Sequence, residues 1–393
     1  MSNSSSSSSC SWESLPKELL EIIVKHLDSR IDILRFRAVS TSWRSLVSLS
    51  YRQCQCQLTL NLPPPINTTA ILSSFTICRL EDQTPTSACL VKVVESTSGK
   101  LHLLNPLILT NPNVKIIPEI NNNNNNDEIV FKRSVNMLNF RLIELFKGYT
   151  LQVKNSPSRY TLKRVFLFDK VGILVLYDLG KLRYWGFQDK NWTNLGIEGT
   201  YYDDLIIYKG QFYVIDSLGI ISWIDKCMNL VQYSPPLCGF GHLKNLVVSD
   251  GDFYVVDSYL WEEVAEEQVP VIYGDVARFH IRRQRRCRVD MKVYRLDEEW
   301  GSWVDVKSLG DRVFVLGKET SFSVSVRDFP GCRGNCIYFL DPNSETQGGK
   351  LRRFIGRVFR FDNSSIKTVE CFPAYKRLFS PYMNWPFTTS FIP

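Results

Sequence analysis

Several features that would assign this 393-residue chain to a common class are missing from its sequence. No stretch reaches 18 consecutive apolar residues, so no membrane-spanning helix is expected. The 11 cysteines include no C-x-x-C pair, and none of the four histidines has a zinc-binding spacing. The opening MSNSSSSSSC has neither the basic stretch nor the apolar core of a signal peptide. We therefore expect a protein with reduced cysteines that is neither secreted nor inserted in a membrane.

Catalytic signatures are missing as well. There is no G-x-S-x-G elbow, no Walker loop, no H-E-x-x-H and no dinucleotide fingerprint. Cys287 lies among arginines, which lower a thiol pKa, but no histidine or acid accompanies it at a useful spacing. We predict no catalytic residue, no cofactor and no metal ligand. The net charge of +7 is mild and interspersed along the chain, so no direct nucleic-acid binding is expected.

Composition divides the chain into four segments. Residues 1–11 form a serine-rich tail that cannot fold, and residues 12–50 have the pattern of helices. Residues 51–69 are predicted to be a linker, and residues 70–393 consist of short apolar runs punctuated by Gly, Asn and Asp. We therefore predict a mainly β protein with a small N-terminal α domain. Two segments without an apolar period, near 119–128 and 261–290, are predicted to be loops inserted between strands.

The helical segment contains three predicted helices. The first, SLPKELLEIIVKHL (Ser14–Leu27), places leucines and isoleucines at the i, i+3, i+4 spacing, with Pro16 in its first turn. DSRIDILRFRAV gives the second helix, and STSWRSLVSL gives the third, with Ser40 as its candidate N-cap. The apolar arc of the first helix is wide enough to require a partner, either in this chain or on another protein.

Self-similar strands indicate the architecture of the β segment. GQFYVID (Gly210–Asp216) and GDFYVVD (Gly251–Asp257) agree in five of seven positions, 41 residues apart. The same frame occurs in GILVLYD (Gly172–Asp178) and GRVFRFD (Gly356–Asp362), and with one extra residue in GNCIYFLD (Gly334–Asp341). A period near 40 residues with several strands per unit is typical of a β-propeller. Counting residues 70–110 and 290–330 as further units, we predict six blades. An alternative is an all-β protein whose hairpins merely look alike.

The repeat aspartates Asp178, Asp216 and Asp257 occupy equivalent positions after a strand. An acid–base or metal-binding set is one interpretation of them. We favour turn-forming roles, because a turn follows each of these strands.

The helical segment resembles an F-box. LPKELLEIIVKHL (Leu15–Leu27) is followed by DILRFRAVSTSWRSL (Asp32–Leu46), and the family's Leu-Pro start and Trp-Arg close are both present. Ser40 stands where many F-boxes carry cysteine. The whole chain resembles plant F-box proteins of the SKIP type with a kelch-like C-terminal domain. The segments that carry this likeness are KLHLLNPL (Lys100–Leu107), KVYRLDEEWGSWVDVKSLGDRVFVLG (Lys292–Gly317) and GCRGNCIYFLD (Gly331–Asp341).

This resemblance implies a non-catalytic substrate adaptor of a Skp–cullin–F-box ubiquitin ligase, located in the nucleus or cytoplasm. The F-box would bind a Skp-family adaptor and through it a cullin–RING ligase, while the propeller would bind an unknown target protein. Carried over by position, the Skp-facing residues are Leu15, Pro16, Leu19, Leu20, Ile23, Leu27, Val39 and Trp43. In the alternative, the three helices pack back on the propeller as a cap.

The run RRQRRCR (Arg282–Arg288) has two interpretations. It is either a nuclear-import patch, formed by Arg282, Arg283, Arg285 and Arg286, or a solvated loop balanced by the glutamates upstream, which we favour. Two other functions stay open. A propeller enzyme would need acids or metal ligands that converge on the central channel. An F-box protein could also act outside a ligase, as a nuclear regulator.

Overall fold

The computed structural model describes fifteen ranges of the chain: 15–27, 30–47, 57–64, 68–82, 88–95, 101–107, 140–153, 162–168, 171–177, 179–237, 239–273, 276–341, 356–369, 377–379 and 389–390. The side chains of residues 262–287 are not part of that description. In these ranges three helices are followed by strands that form five sheets. The predicted loop near 119–128 lies outside the described residues.

The helices are α1 (Lys17–Lys25), α2 (Arg30–Val39) and α3 (Thr41–Leu46). Pro16 occupies the position before the first turn of α1, where its missing N–H costs no hydrogen bond. Ser40 caps α3, because its hydroxyl accepts a hydrogen bond from the backbone N–H of Trp43 at 3.2 Å. The predicted N-cap is thereby confirmed.

The first sheet joins strands from both ends of the β segment. It comprises β1 (Gln57–Asn61), β2 (Thr69–Asp82), β3 (Ala88–Glu95), β4 (Leu101–Leu104), β5 (Phe140–Val153) and β23 (Thr389–Ser390). β5 pairs along the whole length of β2, and β23 pairs with β4. Part of the predicted linker is therefore a strand, and a C-terminal strand completes the first sheet.

The next three sheets are four-stranded antiparallel meanders in chain order. The second sheet consists of β6 (Leu162–Phe168), β7 (Gly172–Tyr177), β8 (Leu182–Gly186) and β9 (Thr193–Asn194). The third consists of β10 (Tyr202–Tyr208), β11 (Gln211–Asp216), β12 (Ile221–Ile224) and β13 (Leu230–Gln232). The fourth consists of β14 (Leu243–Ser249), β15 (Asp252–Tyr273), β16 (Val276–Asp297) and β17 (Ser302–Val306). These sheets are blades of a propeller.

The fifth sheet has a different order. Its strands are β18 (Arg312–Leu316), β19 (Ser321–Ser325), β20 (Cys336–Leu340), β21 (Gly356–Arg360) and β22 (Ser365–Thr368). They are arranged as β19-β18-β20-β21-β22, and β18 pairs with β20 in parallel. The innermost strands of the five blades, β5, β6, β10, β14 and β19, together line the central channel.

The prediction of six blades was wrong, since the described residues form five sheets. The segments GNCIYFLD and GRVFRFD, which looked like separate repeats, are the neighbouring strands β20 and β21 of one blade. Residues 290–330 likewise supply the end of the fourth blade and the start of the fifth, rather than a blade of their own. In sequence, a strand that follows a glycine looks the same at any position in a blade, so the spacing of these segments gave the wrong number of blades.

The prediction of a loop at 261–290 was also wrong. β15 and β16 pair without interruption from Tyr254–Arg295 to Tyr273–Val276, and they form a long two-stranded ribbon. The neighbouring strand β14 is shorter and pairs with β15 only as far as Ser258. The sequence of these two strands is rich in charged residues and lacks the apolar alternation by which a strand is recognised, so it predicted a loop instead.

Candidate protein-interaction site

The three helices share a small core of their own. It consists of Leu20, Val24, Ile33, Phe36, Trp43 and Val47, all buried. The rings of Phe36 and Trp43 lie 4.6 Å apart between centroids, which joins α2 to α3. Leu15, Ile23 and Leu27 pack against this core and are partly buried.

An apolar face remains on the outside of α1. Leu19 and Ile22 are 47% and 50% exposed, and Val39 at the end of α2 is 49% exposed. Pro16 is exposed as well. Leu19 and Ile22 stand three residues apart in α1 and therefore lie on one side of it. We call this pair the α1 face.

The eight residues predicted to face a Skp adaptor thus separate into two groups. Leu20 and Trp43 belong to the internal core, where they pack the three helices together. Pro16, Leu19 and Val39 are open to a partner, and Leu15, Ile23 and Leu27 are partly so. Ile22, which the prediction did not include, is exposed beside Leu19, and its i+3 spacing from Leu19 is a signal that the sequence contains.

The helical unit touches the propeller through α2. Leu34 packs against the cluster of buried residues around Cys78 and Leu142 in the first blade. A guanidinium nitrogen of Arg35 donates to the carbonyl oxygen of Leu142 at 2.5 Å, and another lies 3.7 Å from the carboxylate of Glu144. These contacts fix α2 on the first blade, whereas the α1 face stays exposed.

A buried ion pair links the blades around the central channel. Arg164 Nε of β6 lies 2.8 Å from Asp204 Oδ1 of β10, and both side chains are fully buried. Arg164 also donates to the carbonyl oxygen of Lys318 and the hydroxyl of Ser321, at 2.5 and 3.0 Å. The backbone N–H of Leu246 in β14 donates to Asp204 Oδ2 at 3.0 Å. One ion pair therefore contacts blades two, three, four and five.

The channel beside this pair encloses a cavity of about 100 Å³. All five innermost strands contribute to its lining, and most of the side chains there are apolar. Asp204, the acid of the ion pair, is held by Arg164 and by the backbone N–H groups of Leu205 and Leu246. Among the described residues, no three His, Cys, Asp or Glu side chains are grouped as metal ligands would be.

The repeat aspartates have two different roles. Asp216 accepts hydrogen bonds from the backbone N–H groups of Leu218 and Ile220, both at 2.9 Å, which is the turn-forming role we favoured. Asp257 is fully buried and lies 3.4 Å from the ammonium of Lys244. Asp178 lies outside the described residues.

The four predicted import arginines lie in β16 rather than in a loop. In the strand register Arg286 stands opposite Glu263, Arg283 opposite Glu266 and Arg282 opposite Glu267. The glutamates that we expected to balance the arginines are therefore their cross-strand neighbours. The import patch of Arg282, Arg283, Arg285 and Arg286 stays a prediction.

The described cysteines are free thiols. Cys78, Cys89 and Cys336 are buried, and burial raises the pKa of each to about 12. Cys227 is exposed in the turn after β12.

This difference predicts selective alkylation. At pH 8 the buried thiols hold almost no thiolate, so iodoacetamide should label Cys227 while Cys78, Cys89 and Cys336 stay unmodified. Mass spectrometry of proteolytic peptides, with and without prior unfolding in guanidinium chloride, measures each site. Labelling of Cys89 in the folded protein as fast as that of Cys227 would contradict the packing of the first blade.

No helix in the described ranges is long and apolar enough to cross a membrane.

Comparison with known proteins matches both parts of the chain. The F-box domain model matches residues 12–53, and the KIB1-4 beta-propeller model matches residues 59–360. The putative F-box protein At1g65770 of Arabidopsis thaliana is 30% identical over 377 residues, 91% of this chain and 94% of that protein. F-box protein SKIP23 of Arabidopsis thaliana is 30% identical over 402 residues, covering 95% of each. The predicted resemblance to plant F-box proteins of this type is confirmed, whereas the kelch-like character of the propeller stays a prediction.

Proposed function

The chain belongs to the family of F-box proteins with a KIB1-4 β-propeller, and from this membership we propose that it is the substrate-recognition adaptor of a Skp–cullin–F-box ubiquitin ligase. In this proposal the F-box binds a Skp-family adaptor, which connects the chain to a cullin–RING ligase. The propeller binds the protein to be ubiquitinated. The adaptor contributes by position, since it raises the local concentration of the target's lysines near the charged conjugating enzyme.

The observation that carries the proposal is the α1 face. The helical unit already has a closed core of six buried residues, so Leu19 and Ile22 are not needed inside it. Burying a Leu or Ile fully is worth roughly 1.5–3 kcal/mol, and about half of each side chain is still available. Such a face supports association with a second protein, and Skp is the partner that the F-box family model implies.

The placement of the helices also supports the proposal. An F-box that packed back on the propeller as a cap would cover its apolar side. In this chain α2 makes the contact with the first blade, through Leu34 and Arg35, and the α1 face is left accessible.

The test is recovery of the assembled ligase from plant cells. A tagged intact chain should precipitate both a Skp-family adaptor and a cullin. Recovery of Skp without cullin would contradict the ligase role and favour an F-box protein that acts outside a ligase. Recovery of neither would contradict the proposal as a whole.

A further inference from the structure

We propose that the central channel of the propeller binds a small uncharged molecule that has an apolar ring and one hydroxyl or carbonyl oxygen. The site is the cavity of about 100 Å³ in the channel, which we call the channel cavity. Arg164, Thr320 and Ser321 belong to its lining, as do Ile207 and Val248. This inference goes beyond the proposed function, because it depends neither on Skp nor on a target protein.

The walls of the channel cavity are mainly apolar. Phe146, Phe166 and Phe322 contribute three aromatic rings, each from a different blade, and Leu205 and Ile206 of β10 contribute aliphatic side chains. Binding sites for small molecules are typically lined in this way, with a few polar groups that fix the orientation of the ligand. Because aromatic rings pack favourably against another ring, three of them around one cavity favour a ligand with a flat, apolar body.

Two buried hydroxyl groups interrupt this apolar lining. Thr320 is 5% exposed, and its hydroxyl makes no hydrogen bond to the residues that the structure describes. Ser321 is 7% exposed, and its hydroxyl oxygen accepts from a guanidinium nitrogen of Arg164 at 3.0 Å. The Ser321 hydroxyl donates to no acceptor in the described ranges. Since a buried hydroxyl without a partner costs free energy, an oxygen atom of a ligand that accepts from these two groups would be stabilising.

The charge beside the channel cavity is already balanced. Arg164 Nε lies 2.8 Å from Asp204 Oδ1, and the guanidinium also donates to the carbonyl oxygen of Lys318. Asp204 in turn accepts from the backbone N–H groups of Leu205 and Leu246. A charged ligand would lose its hydration there without gaining a counter-ion, which is costly in a buried site. The channel cavity therefore selects an uncharged molecule.

The channel cavity opens to solvent away from the ion pair. In β10, Asp204 is fully buried, whereas Ile207, three residues further along the strand, is 39% exposed. In β14, Leu246 is buried beside Asp204, whereas Val248 is partly exposed. Because Ile207 and Val248 both line the cavity, a molecule can enter from their side. It would enter with its oxygen first, toward the two buried hydroxyls.

The volume of the channel cavity limits the size of the ligand. An apolar protein cavity of about 150 Å³ takes up benzene. The channel cavity encloses about 100 Å³, and because it is open on one side, a single ring can lie partly in its mouth. The innermost strands of all five blades contribute to the lining, so binding of such a molecule should stabilise the whole propeller.

Phenol, toluene and benzoate are the probes that test this inference on the intact chain. Each has one aromatic ring. Phenol adds a hydroxyl, toluene adds a methyl group of similar size, and benzoate adds a negative charge. Isothermal titration calorimetry should show one saturable site for phenol and for toluene, and none for benzoate. Phenol at a saturating concentration should also raise the thermal unfolding midpoint of the chain.

Thr320→Val removes the hydroxyl and keeps the shape of the side chain. We expect it to weaken phenol binding about threefold to tenfold, the usual effect of one lost hydrogen bond, and to leave toluene binding undiminished. Its thermal unfolding midpoint should not fall, because the hydroxyl has no partner among the described residues. Thr76→Val is the matched control, since Thr76 is also buried but lies in β2, outside the lining, and this variant should bind phenol normally.

Other results would overturn the proposal. Absence of saturable phenol binding would show that the channel cavity holds water only. Benzoate binding as tight as that of phenol would contradict the selection of an uncharged ligand. If Thr320→Val bound phenol normally, or lost phenol and toluene binding alike, Thr320 would not be the group that contacts the oxygen of the ligand. The titrations contain no Skp, so their failure is distinguishable from failure to assemble a ligase, and Thr320→Val should still bind Skp.

Discussion

A chain in which Leu19 and Ile22 are both replaced by aspartate is expected to bind a Skp-family adaptor at least about a hundredfold more weakly than the unaltered chain. The two substitutions remove the apolar area of the α1 face and would place two carboxylates in the interface without partners. A loss of about 1.4 kcal/mol of binding free energy lowers the affinity tenfold, so a loss of a few kcal/mol abolishes co-purification. Titration of purified Skp into each chain measures the effect.

The substitutions should leave the fold unchanged. Both side chains are about half exposed, and neither belongs to the buried core of the helical unit. Leu19 lies in the first turn of α1, where a negative charge stabilises a helix. Val171→Asp, the same kind of change at an exposed propeller residue, is the matched control and should bind Skp normally. Undiminished binding of Skp by the double variant would show that the α1 face is not part of the interface.

The second large effect, a loss of stability, is expected when the Arg164–Asp204 ion pair beside the channel is broken. Arg164→Met leaves Asp204 buried without its cation, and breaking a buried pair in this way costs about 3–5 kcal/mol. Asp204→Asn leaves the Arg164 guanidinium buried without its carboxylate and should cost a similar amount. Because this pair contacts four blades, the urea midpoint of the strand signal in circular dichroism should fall for the whole propeller.

A variant with both substitutions tests whether an unpaired buried charge causes the loss of stability. With Arg164→Met and Asp204→Asn together, no charge is left unpaired, and the amide oxygen at position 204 still accepts from Leu246. We expect it to recover most of the stability that either single variant loses. Asp252→Asn is the control, since the Arg295–Asp252 pair is exposed and its loss should change stability by about 1 kcal/mol or less. Single variants as stable as the original chain would contradict the bridging role of Arg164.

The helical unit could be predicted from sequence because its signals are local. The spacing of the leucines predicted α1, and Ser40 predicted the start of α3. The Ser40 hydroxyl does accept a hydrogen bond from the backbone N–H of Trp43. The division of apolar residues between core and surface was not predictable in the same way. Leu19 and Leu20 are adjacent in sequence, and only the packing of three helices decides that Leu20 is buried.

The propeller was predicted as an architecture but not in its details. Repeated strands revealed blades, yet the count failed where β18 and β20 pair in parallel within one blade. The Arg164–Asp204 pair joins residues 40 positions apart with no recurring motif, so it was not foreseen. The Lys244–Asp257 pair was likewise not foreseen, because it forms only when β14 and β15 lie side by side.

Hydrogen–deuterium exchange of the intact chain, with and without purified Skp, tests the central claim most directly. Binding at the α1 face should slow exchange of the backbone amides in residues 15–27, since α1 is a short helix that opens readily when unbound. Peptides from β10 to β14 should exchange at the same rate in both samples. Protection of residues 15–27 by Skp is the result the account predicts. Unchanged exchange there, at a Skp concentration that saturates the chain, would contradict it.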